Sequence, residues 1–193
     1  MDLAYFIKRK MFFSILFFVF TTTLVNALSV DNPKNSDQKD AQTDYCSVEW
    51  IFADNCFDNN GNIEGGILVK LKPGWHSYGP EPGDFGMPPR IEFSETDELE
   101  ISPPKFPKAK EFREAAGKSF GYSDSFLIIF SMKKKKPSPQ KNIEAKIEIL
   151  LCKDVCMPVN KKIEIRLPCS EQDKTAISAK WKEAMELGGW NTN

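Results

Sequence analysis

Histidine is almost absent from this chain of 193 residues: His76 is the only one. A hydrolytic triad needs a base beside a nucleophile, and no suitably spaced Ser or Cys motif surrounds His76, so a nucleophilic hydrolase is disfavoured. An excess of charge of either sign is missing as well, with 26 basic and 27 acidic residues and a net charge of −1. Binding to a phosphate backbone is driven by a basic surface, so nucleic acid is not an expected partner. A long hydrophobic run is also lacking. The densest apolar stretch, residues 11–20, is shorter than the ~20 residues a membrane-spanning helix needs. No motif suggests a nucleotide, a haem or any other cofactor.

The N-terminus carries a secretory pattern. Lys8-Arg9-Lys10 precede the apolar stretch, Thr21 to Thr23 dilute its end, and Ala27 offers a small residue for cleavage. Residues 1–27 therefore read as a signal peptide, with an uncleaved membrane anchor as the rival reading. No cysteine sits at the cleavage site, so a lipoprotein is not expected. Cleavage removes Asp2, Lys8, Arg9 and Lys10, which leaves 23 basic and 26 acidic residues and a net charge of −3. Residues 28–44 are largely polar and read as a disordered lead-in.

Beyond residue 44 the signals are those of short strands, and with 13 prolines in the chain they suit an all-β sandwich better than an α/β fold. Val48, Trp50 and Phe52 alternate with Ser47, Glu49 and Ile51; Asn60-Gly61 offers a turn; Ile67, Val69 and Leu71 alternate again before Pro73-Gly74. Residues 90–93 and 125–132 add strands, separated by the proline-rich stretch 102–107. The expected sandwich spans residues 45–169. Residues 170–189 read as a short C-terminal amphipathic helix. Ser170 and Asp173 have capping spacing, Ile177, Trp181, Ala184 and Met185 share a face, and Gly188-Gly189 stops it. Packing on the sandwich is the plain reading of that face, and docking a partner the sharper one. The basic run 133–136, followed by Pro137-Ser138-Pro139, reads as a solvated loop.

The chemistry-bearing segment is Leu151-Cys152-Lys153-Asp154-Val155-Cys156-Met157-Pro158-Val159. On one side of it Ile143, Ala145, Ile147 and Ile149 alternate with charged residues, and on the other Ile163, Ile165 and Leu167 do so. That pattern makes a hairpin with the cysteines at its mouth. Four residues of extended strand span roughly 13 Å, whereas disulfide Cα atoms lie about 4.4–6.8 Å apart, so the chain must bend between Cys152 and Cys156 for them to join. A bridge closing so short a loop is a poor staple and is better suited to being opened and closed. Lys153 would favour a thiolate and Asp154 would oppose it. Pro158 restrains Met157 toward an extended conformation and shapes the loop.

Several blocks in order carry a resemblance. They are Lys72-Pro73-Gly74-Trp75-His76-Ser77-Tyr78, Pro82-Gly83-Asp84-Phe85-Gly86-Met87-Pro88-Pro89, residues 117–122, and residues 151–159. Together they cover residues 45–168, and over that span the chain resembles the N-terminal domain family of DsbD, the periplasmic thiol:disulfide interchange protein. The resemblance implies an immunoglobulin-like antiparallel β-sandwich in the periplasm, with Cys152 and Cys156 shuttling between dithiol and disulfide. It also implies thioredoxin-like periplasmic oxidoreductases as partners, including those of disulfide isomerisation and cytochrome c maturation. With no multi-helix membrane segment and no Cys-x-x-Cys domain in the sequence, a membrane electron transporter would be a separate protein.

Family members shield the reduced pair with an aromatic cap loop. Residues 110–117 correspond to it here, but Ala115 and Ala116 stand where the cap's aromatic pair would align, so Phe112 or Phe120 is the expected substitute. His76 and Tyr78 share a strand face opposite Trp75. They are expected to border the cysteine loop or, more plainly, to be a surface histidine and a packing tyrosine. Three cysteines remain. If the first strand runs parallel beside the last, as immunoglobulin-like sandwiches often arrange it, Cys56 comes toward Cys169 as a structural disulfide; Cys46–Cys56 and Cys46–Cys169 stay open. A zinc site drawing on the five cysteines and His76 would need a second matched pair beside Cys-x3-Cys, so no metal is expected. The serious alternative to exchange is a non-catalytic exported sandwich whose disulfides are purely structural.

Overall fold

Period-two alternation puts every second side chain of a strand on one face, and here it builds two sheets that close on each other. The computed structural model describes residues 45–94, 97–114, 117–136, 142–168 and 174–190. The signal peptide, the lead-in, Ala115, Ala116, Cys169, the Ser170 and Asp173 cap and Pro137-Ser138-Pro139 lie outside them.

The strands are β1 (Cys46–Phe52), β2 (Asn62–Leu71), β3 (His76–Gly83), β4 (Arg90–Ser94), β5 (Leu99–Ile101), β6 (Lys110–Glu114), β7 (Gly117–Tyr122), β8 (Ser125–Lys134), β9 (Asn142–Cys152) and β10 (Cys156–Arg166), followed by helix α1 (Lys174–Leu187). One sheet runs β1-β2-β8-β5. The other runs β10-β9-β3-β7-β6, with β4 beside β9. All the strand pairings are antiparallel. The molecule is an immunoglobulin-like antiparallel β-sandwich with one short C-terminal helix.

Between the sheets lies a single core. Val48, Trp50, Ile67, Val69, Phe126, Ile128 and Phe130 face Ile143, Ala145, Ile147, Ile149, Leu151, Ile163 and Ile165. Trp50 stacks on Phe130 with ring centroids 5.9 Å apart, and Phe93 meets both edge-on. Gly65 is required at that point, because a Cβ there would enter the Trp50 ring.

The helix covers the outer face of the first sheet. Ile51, Leu68, Leu127 and Ile129, the outward residues of three strands, pack with Ala184, Trp181, Met185 and Trp190. Lys180 reaches Glu49 at 3.0 Å, and Trp190 donates its indole N–H to the Leu127 carbonyl at 2.8 Å. The face containing Ala184 and Trp181 is thus used within the chain. Residues 133–136 end β8 and begin the next loop, where Lys136 pairs with Glu98.

Strands β1 and β10 are edge strands of opposite sheets that touch and run in the same sense. Tyr45, just before β1, packs on Trp75 beside the start of β3, and Trp50 packs on Phe93, which is registered with Ala145 and through it with Ile163. In β3 the register against β7 shifts between Tyr78 and Gly83. Pro80 and Pro82 lie in that shift, where neither could donate to a ladder.

Candidate functional site

Strands β9 and β10 form the hairpin expected around the cysteines, and register places Cys152 directly opposite Cys156. The two are joined as a disulfide with Cα atoms 4.1 Å apart, near the ~4.5 Å of a closely spaced antiparallel pair. The turn between them is tight, with the Lys153 N–H donating to the Val155 carbonyl at 3.1 Å. Pro158 is compatible with a strand because β10 is an edge.

The two sulfurs stand in different surroundings. Cys152 is 2% exposed, whereas Cys156 and the residues on either side of it are exposed. Alternation explains the difference. Leu151 points into the core, so Cys152 points out from the second sheet, and it is buried by what lies over that outer face. His76 is registered with Cys152 across the β3–β9 pairing, and Tyr78, one step along the same face, donates its hydroxyl to the Cys152 sulfur at 3.4 Å.

Aromatic side chains gather around Tyr78 on the Cys152 side of the pair. The His76 ring lies 5.5 Å from Tyr78 and 5.2 Å from Phe112, and Phe85 meets Tyr78 edge-on at 6.3 Å. Gly86 lies flat on Tyr78, where a Cβ would collide with the ring, and its φ of 103° is one that glycine favours. Tyr78 is 2% exposed as a result.

Of the two candidate shields, Phe112 is brought to the site and Phe120 is not. The stretch expected as a cap loop forms the hairpin β6–β7, with Phe112 registered to Ser119. Phe120 projects from the other side of β7 and lines a cleft of about 380 Å³ with Pro80, Phe106, Pro107 and Tyr122. Burial pushes the Tyr122 phenol up to about 12, and its hydroxyl donates to the Pro107 carbonyl at 3.0 Å.

The Lys153 side chain lies against the Gly74 turn, where a Cβ on Gly74 would stand 3.4 Å from its ammonium. Cys56 is half-buried with a free thiol, and Cys169, its expected partner, lies outside the described residues. Among the described residues, no three His, Cys, Asp or Glu side chains converge as metal ligands.

The sequence reading gave no role to Asp84, Phe85 and Gly86, although their block carried the resemblance. Nor did it single out Met87, Val155 and Met157, which are 52%, 62% and 36% exposed. Exposed apolar residues beside an exposed cysteine were legible only as a pattern, since exposure is not readable from a loop's composition.

A β-sandwich carrying a disulfide with one buried and one exposed cysteine has an arrangement suited to a thiol-disulfide exchange domain. The particular family follows from residues 42–168, which match the family described as "Thiol:disulfide interchange protein DsbD, N-terminal", and the chain belongs to it. Among solved structures it is similar to the N-terminal periplasmic domain of ScsB from Proteus mirabilis, with 19% identity and a TM-score of 0.58. That match covers 75% of this chain and 55% of that one, so the chain spans about half the length of the structure it matches. It is also similar to the reduced N-terminal domain of Neisseria meningitidis DsbD, at 16% identity and a TM-score of 0.41 over 63% of this chain and 86% of that one. A further match is the complex of the N-terminal domains of DsbD and PilB from the same organism, at 14% identity and a TM-score of 0.37 over 60% and 81% of the two chains. No curated protein sequence matches.

Proposed function

We propose that this protein is a periplasmic electron carrier that passes reducing equivalents between thioredoxin-like partners through Cys152 and Cys156. The observation that carries this is the asymmetry of the pair: an exposed Cys156 bridged to a buried Cys152 whose sulfur accepts the Tyr78 hydroxyl.

Thiol-disulfide exchange proceeds by attack of a thiolate on one sulfur, with the other sulfur leaving. A reduced partner's thiolate reaches Cys156, the S–S bond breaks, and the electron pair goes to Cys152. The Tyr78 hydroxyl is placed to stabilise that leaving sulfur. The partner's second thiol then attacks the mixed disulfide and releases Cys156, leaving the partner oxidised and this domain with two thiols. Delivery runs in reverse: the Cys156 thiolate attacks an acceptor disulfide, and Cys152 resolves the mixed disulfide. Two electrons and two protons move in each half. Membrane transport of electrons to the donor would fall to a separate protein.

Either cysteine variant should trap a partner differently. Cys152→Ser should accumulate mixed disulfides through Cys156, because nothing resolves them, whereas Cys156→Ser should accumulate almost none. Mass spectrometry of complexes captured in cells reads both. Equal trapping by the two variants would overturn the assignment of Cys156 as the outward sulfur. A Cys152–Cys156 bridge that resists reduced thioredoxin-like donors would favour the structural sandwich instead.

A further inference from the structure

Cys152 lies on the outer face of a sheet, where solvent would ordinarily reach it, yet it is 2% exposed. The loop after β3 lies over Tyr78, whose hydroxyl meets the Cys152 sulfur, and Asp84 ties that loop to β7. Asp84 donates its backbone N–H to the Lys118 carbonyl at 2.9 Å, and one of its carboxylate oxygens accepts the Lys118 N–H at 2.9 Å. One residue thus forms both halves of a clasp on Lys118, at the start of β7.

Two glycines make the approach possible. A Cβ on Gly83 would stand 2.6 Å from the Lys118 carbonyl oxygen, and a Cβ on Gly117 would stand 2.6 Å from the Asp84 carboxylate. Immediately after the clasp, Phe85 and Gly86 lie on Tyr78, and Tyr78 donates to Cys152. The contacts run without a break from the β6–β7 hairpin through Asp84 to the buried sulfur.

We propose that Asp84 is a positioning residue, a latch that holds the Phe85–Gly86 lid on Tyr78 and so keeps the Cys152 sulfur closed to every thiol except Cys156. Its carboxylate accepts a backbone N–H at the exposed start of β7 and adds a second hydrogen bond to the one made by its own backbone. Releasing it frees the lid while the sheet beneath keeps its own ladder. The purpose of the latch rests on the exchange reading, but its existence is tested by thiol access alone.

The test is the rate at which iodoacetamide modifies Cys152 in the reduced, folded Cys156→Ser chain, read by peptide mass spectrometry. Adding Asp84→Ala should accelerate it about three- to tenfold, the scale of one lost hydrogen bond, since the backbone half of the clasp remains. Asp84→Asn keeps an acceptor oxygen and should stay within about twofold. Gly117→Ala presses on the same carboxylate from the other side and should accelerate modification as well; where the two differ, Asp84→Ala decides. Amide exchange of residues 126–132, in the core of the other sheet, reports global opening and should not change. A rate for Asp84→Ala within about twofold of its parent overturns the latch, as does acceleration matched by equal loss of protection in residues 126–132. Failure of the wild-type protein to exchange with any donor would overturn the proposed function and leave the latch standing.

Discussion

One hydroxyl and two sulfurs would carry the proposed exchange at the residue scale. Tyr78 is buried, so its contact with Cys152 is made away from competing water. A hydrogen bond of this kind contributes roughly 0.5–1.5 kcal/mol net, and a factor of ten in rate is about 1.4 kcal/mol. Tyr78→Phe should therefore slow exchange with a thioredoxin-like donor by about 2- to 10-fold while leaving the far-UV spectrum unchanged. Stopped-flow kinetics against the wild type checks this, and an unchanged rate would reduce Tyr78 to a packing residue. The position of Tyr78 and His76 on one face was legible from alternation. That residues 85 and 86 cover Tyr78 was not, because they come from the loop after β3, and only the family resemblance pointed to Phe112.

At the scale of elements, the β9–β10 hairpin holds itself together by register and by the inward row from Ile143 to Leu151, so its disulfide is not its main support. In the chain-entropy model a loop this short gains about 2 kcal/mol from its bridge. Reduction should therefore lower the melting temperature by no more than about 10 °C and leave the strand content intact, as calorimetry and circular dichroism would show. Melting of the domain on reduction would identify the bridge as structural. Its reduction potential should lie above the roughly −300 mV typical of structural disulfides, measurable by equilibration with glutathione or dithiothreitol.

Helix α1 offers a pH test. Burial opposes ionisation of Glu49, but hydrogen bonds from Lys180 and Lys70 outweigh it, so its carboxyl sits below the ordinary carboxylate range. A depressed folded value means that the stabilisation is present above the unfolded pKa and is lost as pH falls through the folded one. The wild type should therefore lose stability relative to Glu49→Gln as pH falls from about 5 toward 3. At pH 7 the cost of Glu49→Gln should stay within about 1 kcal/mol, since the lysines are solvent-exposed. Thermal melts of both proteins across that range check the sign.

For the whole molecule, the two sheets share one apolar interior, and the cysteine pair sits outside it at the end where Tyr45 meets Trp75. Stability and chemistry are thus separable. Phe130→Ala, which empties a ring position facing Trp50 and Phe93, should cost roughly 3–5 kcal/mol. In the folded population it should leave the exchange rate within about twofold of wild type. Denaturant unfolding and donor kinetics on the same sample separate the two effects, and a parallel fall in both would mean that core packing positions the cysteines.

Alternation, turn residues and cysteine spacing determined by themselves that the chain is an all-β sandwich, that Cys152 and Cys156 close the mouth of a hairpin, and that a helix with an apolar face follows. These properties are local: a period of two assigns faces, and a bend over four residues brings two sulfurs together. Which cysteine is buried, which of Phe112 and Phe120 comes to His76 beside it, and that Asp84 ties one loop to a distant hairpin were decided only by the tertiary structure. Residues 84 and 118 are separated by 34 positions, and their meeting depends on β7 pairing with β3 beyond a register shift. Pro80 and Pro82 mark in the sequence where a ladder must be interrupted, but not which strand lies opposite, because that ladder exists only once the sheet has formed.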